Sequence, residues 1–377
     1  MKALSQLCLC SYRRHYLGVL ALLLVALFLS VTVYFSRVVQ KIPEKTGDKK
    51  IPKNNGGEPD YIPWDGKVQD FQYPEDVIYV VPNIVHFVKF GNSPLSFIEA
   101  VCIRAAWLHQ RPEATMIHCD QCNTIVRSPL WYLIKDIPVL KLQPTVRPTE
   151  VFGIKFSCVQ HASDVVRLQV LMKYGGIYLD SDTYIVRSLD PYRRHEMSIG
   201  WPPNAYIGNQ VLVAHKDARY LKLCYESYRE YRPDLWYWNA GVLPTKKFLN
   251  VRPDLVNRVR YDFGVEEKVT RTLYARCDGS WRNFSAFHLF FRLIGTYVPP
   301  EPKRFGPITM DTVSKYDRNF GQMARLVLYG TTRMDVSEIK SIDWLSGHPP
   351  EYSQYGCNLP APSAQQYVAM TTSQAPS

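Results

Sequence analysis

Residues 161–185 read HASDVVRLQVLMKYGGIYLDSDTYI and decide the fold of this chain. Apolar residues at spacings of three and four predict a helix with Ser163 as its N-cap. Gly175-Gly176 ends this helix, because glycine readily adopts the left-handed conformation that closes a helix. The next residues, Ile177–Leu179, predict a short strand that ends in the acidic turn Asp180–Asp182. The segment is therefore a helix–turn–strand unit with charged residues at the end of the strand.

Two charged pairs in this segment indicate a binding site. Asp164 and Arg167 are three residues apart, so they share one face of the helix and can bind one ligand. Asp180 and Asp182 are two residues apart, so in an extended segment they point the same way. Paired carboxylates suit a hard divalent cation that also holds phosphate oxygens. Such an ion neutralises a departing diphosphate as a Lewis acid, and we predict Asp180 and Asp182 as its ligands.

Three other interpretations of the acidic turn agree less well with the spacing. A phosphatase with an aspartate nucleophile would carry D-x-D-x-T, but Tyr184 stands at the threonine position. A calcium loop would place a further oxygen ligand and a glycine where Tyr184 and Ile185 stand. A plain solvated turn would not need a strand before it. The metal and phosphate interpretation is therefore the one we favour.

Strand and helix patterns alternate on the N-terminal side of this segment. Strands are predicted at 77–88, 114–118 and 138–142, and helices from 97 to 111 and at 131–134. This alternation predicts an α/β fold with a mostly parallel sheet. Ligands of such sheets lie beyond the carboxyl ends of the strands, so His86, Gly91 and Asp120 are expected near a nucleotide crevice. The alternative for His86 is a hydrogen-bonded histidine of the core.

The N-terminal region predicts a membrane anchor. Residues 17–35 read LGVLALLLVALFLSVTVYF without a charge, and a helix of this length spans a bilayer core. A cleaved signal peptide is the alternative, but its apolar region is usually shorter. We expect residues 1–16 to form a cytosolic tail, because a long downstream domain is translocated with little regard to its charge. The remainder of the chain is then lumenal.

Composition predicts the limits of the folded domain. Residues 36–75 are rich in lysine, proline and glycine without apolar periodicity, which is typical of a stem. Residues 358–377 are small and polar, and we expect a disordered tail. The folded domain is therefore predicted at 76–357. With 46% hydrophobic residues in the whole chain, its core can be substantial.

A lumenal location would make the cysteines beyond the anchor candidates for disulfides. Their connectivity stays open, and Cys119-x-x-Cys122 is interpreted as structural because no second metal-binding pair follows it. Asn283-Phe284-Ser285 is a glycosylation sequon expected on a lumenal surface loop. The candidate cysteines are Cys102, Cys119, Cys122, Cys158, Cys224, Cys277 and Cys357.

The central segment resembles a known family. The pattern S-D-x-x-R-x-x-x-L-x-x-x-G-G-I-Y-x-D-x-D, met from Ser163 to Asp182 without a gap, is similar to the signature of glycosyltransferases with a D-x-D sugar-binding region. These include alpha-1,4-galactosyltransferases, alpha-1,4-N-acetylglucosaminyltransferases and yeast initiating mannosyltransferases, and clostridial glucosylating toxins share the signature. Shorter similarities extend along the chain at 82–86 with 90–91, at 239–241 and at 288–289.

The resemblance implies an A-type glycosyltransferase fold, which is Rossmann-like. It also implies a nucleotide-sugar donor such as a UDP-sugar, manganese or another divalent cation, and usually retention of the anomeric configuration. No position matches an enzyme nucleophile, so the acceptor is expected to attack from the face of the leaving group. Arg167 and the metal would stabilise the charges that develop.

The same resemblance assigns roles to individual residues. Asp164 and Arg167 would hold the donor sugar and act in catalysis, and Tyr178 would line the donor site. Asp180 would contact the ribose or a metal-bound water, and Asp182 would ligate the metal directly. The shorter matches make Asn239 and His288 contacts of the donor or the acceptor.

These expectations combine into one hypothesis and one alternative. The hypothesis is a single-pass type II Golgi transferase that moves a hexose or N-acetylhexosamine to a glycan on lipid or protein. The alternative is a non-catalytic lumenal carbohydrate-binding protein with the same fold. The net charge of +11 is compatible with nucleic acid, but lumenal topology argues against that partner. The aromatic run 235–238 is expected either to stack on the acceptor sugar or to pack in the core.

Overall fold

The computed structural model describes residues 71–293 and 307–334. The strands within these ranges are β1 Ile84–Lys89, β2 Ala114–Cys119, β3 Leu140–Pro144, β4 Glu150–Val151, β5 Ile154–Lys155, β6 Gly176–Leu179, β7 Thr183–Ile185, β8 Met197–Gly200, β9 Gly208–Ala214, β10 Asn257–Val259, β11 Phe263–Gly264 and β12 Ala286–His288. The α-helices are α1 Phe97–Gln110, α2 Cys122–Val126, α3 Val159–Tyr174, α4 Arg219–Glu226, α5 Glu267–Ala275, α6 Met310–Val313 and α7 Asn319–Tyr329. Shorter 3-10 turns and two π-helical turns, Trp238–Val242 and Thr245–Leu249, connect them.

The main sheet has seven strands in the order β10-β8-β9-β6-β1-β2-β3. Strands β3, β2, β1 and β6 run parallel to one another, and β10 runs parallel to β8. Only β9 runs antiparallel within this sheet, between β6 and β8. The prediction of an α/β fold with a mostly parallel sheet is therefore confirmed.

A second sheet of three strands brings a distant segment to the acidic turn. Its order is β11-β12-β7, and β12 pairs antiparallel with β7. In this register His288 lies opposite Thr183, the residue directly after Asp182. The core against this sheet includes the fully buried Tyr184 and Phe287. Packing of β7 and β12 therefore fixes the position of His288 relative to the acidic turn.

The helix before the acidic turn is longer than predicted. Helix α3 begins at Val159, one turn earlier, and Cys158 occupies the N-cap position. Ser163 lies inside the helix, where its hydroxyl donates to the carbonyl of Val159 at 3.1 Å, so its prediction as an N-cap was wrong. The extra turn forms because it buries His161 and Ala162. The predicted end is confirmed, since Gly175 caps the helix with φ 66°.

Other boundaries differ by a few residues. Strand β1 begins at Ile84 instead of residue 77, because Pro82 lacks the N–H that a strand needs. The predicted helix at 131–134 is a single 3-10 turn, Trp131–Leu133. Strand β3 is shifted two residues toward the C-terminus. None of these shifts moves the acidic turn away from the end of β6.

Several predictions fall outside the described residues. The cytosolic tail 1–16, the anchor 17–35, most of the stem 36–75 and the C-terminal tail 358–377 all lie there. Within 71–293 and 307–334, no helix combines the length and apolar character needed to cross a bilayer. The domain limits stay predictions.

The cysteines of the described ranges divide into bonded and free. Cys119 and Cys122 form a disulfide with each other, so both were correct disulfide candidates. Cys277 is also disulfide-bonded. Cys102, Cys158 and Cys224 are free thiols, so these three disulfide candidates were wrong.

Candidate active site

One cavity of about 680 Å³ collects the charged residues of the central segment. It lies where α3, β6, β9 and the end of β12 meet, beyond the carboxyl end of β6. Its polar lining residues are Gln160, Ser163, Asp164, Arg167, Tyr178, Asp180, Ser181, Asp182, Tyr206, Asn209, Gln210, Glu266, His288 and Arg292. Helix α3 and the turn after β6 thus present their charged residues to one cavity.

Arg167 joins the helix to the acidic turn. Its Nη2 lies 2.9 Å from Oδ1 of Asp164 and 3.1 Å from Oδ1 of Asp180. Its Nη1 donates to the carbonyl of Asn209 at 2.8 Å. The guanidinium is buried, with 6% of its side chain exposed. Because three partners hold it, Arg167 is a fixed positive charge in the wall of the cavity.

The carboxylate of Asp164 is bound from two sides. In addition to Arg167, the side-chain amide of Asn209 donates to its Oδ1 at 3.0 Å. Burial raises the pKa of Asp164, although Arg167 and Asn209 act in the opposite direction. The predicted pairing of Asp164 and Arg167 on one helix face is therefore present.

Tyr178 completes the contact between the helix and β6. Its hydroxyl donates to Oδ1 of Asp180 at 2.8 Å, and the Arg167 guanidinium lies 4.7 Å from the centre of its ring. Burial raises the pKa of Tyr178 well above its ordinary value, so the phenol remains a hydrogen-bond donor. Oδ1 of Asp180 is thus occupied by Tyr178 and Arg167.

Asp180, Asp182 and His288 form a cluster of three potential metal ligands. One ligand atom from each residue lies within 4.8 Å of the others. Nε2 of His288 is 3.1 Å from Oδ1 of Asp182 and 3.8 Å from Oδ2 of Asp180. The backbone N–H of Phe291 donates to Oδ2 of Asp182 at 3.2 Å. We call these three residues the acidic triad.

The charges in the acidic triad stabilise one another. Burial raises the pKa of Asp182, but His288 and the Phe291 N–H outweigh burial and lower this pKa to about 2. Burial lowers the pKa of His288, but Asp182 outweighs that effect and the net pKa is raised. An ionised Asp182 facing His288 is therefore the favoured state without an ion.

The acidic triad fits a divalent metal ion. Carboxylate oxygens suit magnesium and manganese, whereas imidazole nitrogen suits transition metals, so two carboxylates with one imidazole favour an ion such as Mn²⁺. Nδ1 of His288 is buried and has no hydrogen-bond partner within the described part of the chain. Oδ2 of Asp180 faces His288, because Oδ1 is already bound. The residues present thus match the predicted metal ligands and add His288 to them.

Asn239, which was predicted as a substrate contact, does not line the cavity. Asn239 is buried, where its Oδ1 accepts the Arg232 N–H at 3.0 Å and its Nδ2 donates to the carbonyl of Ser227 at 3.2 Å. The next residue, Ala240, does line the cavity. Asn239 therefore stabilises the preceding loop at 227–232.

His86 is a hydrogen-bonded histidine of the core, which was the alternative interpretation of this residue. It is fully buried, with Nδ1 3.2 Å from Nε2 of His118 and Nε2 2.9 Å from the carbonyl of Gly175. Burial, aided by His118, lowers its pKa to about 3. Gly91 and Asp120 do meet at the ends of β1 and β2, where the Gly91 N–H donates to Oδ1 of Asp120 at 2.8 Å. They do not line the cavity.

The sequence analysis did not single out several cavity residues. Asn209 binds Asp164, and Gln210 lines the cavity with a buried Oε1 that has no hydrogen-bond partner among the described residues. Glu266 contributes a further carboxylate to the lining of the cavity. These residues come from loops and strand ends without a sequence signal, and only their position reveals them.

The aromatic run 235–238 is divided between two environments. Trp236 lines the cavity with 62% of its surface exposed, and Tyr237 lines it partly buried. Asn283 of the sequon is exposed, at the end of a 3-10 turn. Glycosylation of Asn283 stays a prediction.

Comparison with known proteins agrees with this site. Residues 99–199 match the family described as glycosyltransferase sugar-binding region containing DXD motif. The matched segment contains the pair Asp164 and Arg167 and the turn Asp180–Asp182. The resemblance of this segment to the glycosyltransferases with a DXD sugar-binding region is therefore confirmed.

A curated relative and several solved structures are also similar. Glucan organizing enzyme 1 of Cryptococcus neoformans var. grubii serotype A is 25% identical over 205 residues, which cover 49% of this chain and 53% of that protein. The chain thus spans about half the length of this relative. The PaToxG glycosyltransferase aligns with a TM-score of 0.34 and 17% identity, over 65% of this chain and 87% of that one. The glycosyltransferase GlyE of Streptococcus pneumoniae aligns with a TM-score of 0.38 and 9% identity, over 73% of this chain and 66% of that one. At these TM-scores the two structures carry no argument of their own.

Proposed function

We propose that this chain, which carries the sugar-binding region of the DXD-containing glycosyltransferases, is a metal-dependent transferase of a hexose or N-acetylhexosamine. Its donor is a nucleotide-diphosphate sugar such as a UDP-sugar, and its acceptor is a glycan on lipid or protein. One observation carries the proposal: Arg167 bridges Asp164 on the helix to Asp180 of the acidic triad inside a single cavity.

The residues of the chain supply binding and charge stabilisation in this proposal. Asp164 accepts hydrogen bonds from donor-sugar hydroxyls, since the wall of the cavity already orients its carboxylate. Arg167 stands beside the departing diphosphate as a fixed cation, which needs no reorganisation when negative charge develops there. Asn209 holds both side chains in place, and the ring of Tyr178 lies against the Arg167 guanidinium.

The acidic triad would hold the ion. Its ligand atoms would be Oδ1 of Asp182, Nε2 of His288 and Oδ2 of Asp180. When bound, a divalent ion supplies Lewis-acid neutralisation of the diphosphate. The carboxylates of Asp164, Asp180 and Asp182 are already engaged by Arg167 or His288, and the family resemblance provides no enzyme nucleophile. The proposal therefore includes attack by the acceptor on the face of the leaving group, with retention.

The proposal also includes a location. The uncharged segment 17–35 supports a single-pass type II anchor, and the sequon at Asn283 supports a lumenal domain. Together with the family, these features lead us to propose the Golgi membrane. Both statements rest on sequence patterns.

The deciding experiment is a donor screen on the full chain purified in detergent. Release of UDP is measured with UDP-galactose, UDP-glucose and their N-acetyl forms, with Mn²⁺ and with EDTA. We expect release from one of these donors, dependent on Mn²⁺. Silence with all four donors, combined with retained binding of glycans, would instead support the non-catalytic carbohydrate-binding protein.

A further inference from the structure

An exposed tryptophan stands at the rim of the cavity. Trp236 lines the same cavity as Asp164 and Asp180, and 62% of its surface is exposed. Tyr206, on the rim as well, is 41% exposed. Large aromatic side chains that remain exposed beside a polar cavity offer apolar surface to a ligand. The donor residues at the base of the cavity do not account for this rim.

The position of Trp236 is fixed by the helix that carries the donor residues. His161, one turn before Asp164 on α3, donates from Nε2 to the carbonyl of Trp236 at 3.1 Å. Its Nδ1 accepts from the hydroxyl of Tyr231 at 2.5 Å, which orients the ring. The centres of the His161 and Trp236 rings lie 5.5 Å apart. Helix α3 therefore holds the tryptophan and the donor-binding pair at a constant separation.

The motif Asn239-Ala240-Gly241 shapes the same loop. Asn239 binds the Arg232 N–H and the Ser227 carbonyl, which closes the loop in front of Trp236. A Cβ at Gly241 would lie 2.2 Å from the ring of Tyr237, so glycine is required for this ring to pack. The hydroxyl of Tyr237 is anchored to the carbonyl of Ile207. This motif thus positions the aromatic residues.

We propose that Trp236 is the platform on which the terminal pyranose of the acceptor glycan stacks, with His161 as its positioning residue. A pyranose presents a face of C–H groups that packs on an aromatic ring, while its hydroxyls point sideways to polar groups. The occupant is a sugar because the platform continues into the donor cavity, where the acceptor hydroxyl has to arrive. The identification of this sugar as an acceptor rests on the proposed function.

The test combines direct glycan binding with kinetics. Neutral oligosaccharides ending in galactose, glucose or their N-acetyl forms are titrated against the full chain in detergent, and binding is followed by calorimetry. Trp236→Ala is expected to weaken binding and to raise the acceptor KM by about tenfold or more. Trp236→Tyr retains an aromatic face and is expected to recover most of the binding. Leu235→Ala is the matched control, since Leu235 is its exposed neighbour outside the cavity.

A double variant tests the role of His161. His161→Ala alone is expected to raise the acceptor KM, and to add little when Trp236 is already alanine, because it acts through that residue. Additive effects in the double variant would overturn the positioning role.

The two proposals fail in distinguishable ways. If Trp236→Ala binds glycans as tightly as the wild type, or the wild type binds none at millimolar concentration, the platform is overturned, whatever the donor screen shows. If glycan binding depends on Trp236 but no donor yields UDP, the platform stands as a carbohydrate site and the transferase proposal fails.

Discussion

Replacing Asp182 by asparagine removes one charge from the acidic triad at nearly constant volume. Oδ1 of Asp182 faces His288 at 3.1 Å, and Oδ2 accepts the Phe291 N–H at 3.2 Å. An asparagine oxygen can keep the second contact, so the fold should survive. The amide is a poor ligand for a hard cation, so we expect Mn²⁺-dependent UDP release to be abolished.

The magnitude follows from linkage between binding and folding. At a metal concentration of about 100 times Kd, the ion stabilises the wild type by about 2.7 kcal/mol. If loss of one ligand weakens binding about 100-fold, the same concentration stabilises the variant by only about 0.4 kcal/mol. For a domain of this size these values correspond to a rise in Tm of roughly 5 °C or more and about 1 °C, respectively.

The assay is thermal unfolding of the full chain during a titration with Mn²⁺. Glu266→Gln is the matched control, because Glu266 lines the same cavity but does not belong to the acidic triad. We expect this control to respond to Mn²⁺ as the wild type does. An Asp182→Asn protein that gains as much stability from Mn²⁺ as the wild type would refute the assignment of Asp182 as a metal ligand.

Three further outcomes are expected. Arg167→Met leaves Asp164 and Asp180 without their shared cation and should lower the free energy of unfolding by about 3 to 5 kcal/mol, measured in urea; a loss below about 1 kcal/mol would contradict the bridging role. The pKa of His86 is lowered to about 3, so its contribution to stability is complete above about pH 6.5. As the pH falls from there toward 3, only the unfolded chain takes up a proton, which costs up to about 1.4 kcal/mol per pH unit. Urea unfolding at pH 7 and pH 5 measures this effect, and equal stability would contradict it. Asn283→Gln should remove one glycan from chain made in a secretory pathway, seen as a mobility shift matching glycosidase treatment; an unchanged mobility would contradict use of the sequon.

Local patterns predicted the part of the site that lies within one segment. The spacing of Asp164 and Arg167 fixes their common helix face, and Gly175 ends the helix through a conformation that other residues avoid. A turn after β6, closed by the Thr183 N–H that donates to the carbonyl of Asp180 at 2.8 Å, then places Asp180 and Asp182 together, although the prediction assumed an extended segment there. These relations depend only on backbone geometry over a few residues, so they could be derived without knowing the rest of the fold.

The partners from distant segments could not be derived in this way. His288 reaches Asp182 because β12 pairs with β7 in one register, and a register between distant strands has no local sequence signal. A two-residue match suggested His288 as a substrate contact, and only the pairing shows it as a potential metal ligand. Asn239 was predicted as a substrate contact from a short motif, but its side chain is hydrogen-bonded to the backbone of Arg232 and Ser227. The motif carries no signal for these contacts.

The charge distribution connects the metal ion to donor binding. The cavity is lined by four carboxylates, those of Asp164, Asp180, Asp182 and Glu266, and by two permanent positive charges, those of Arg167 and Arg292. Arg167 is shared by Asp164 and Asp180, and His288 offsets Asp182 only when it is protonated. A surplus of buried negative charge is costly and would repel a nucleotide diphosphate. A divalent ion at the acidic triad would neutralise this surplus beside Arg167, so the same carboxylates that would repel the donor would hold the ion that binds its diphosphate.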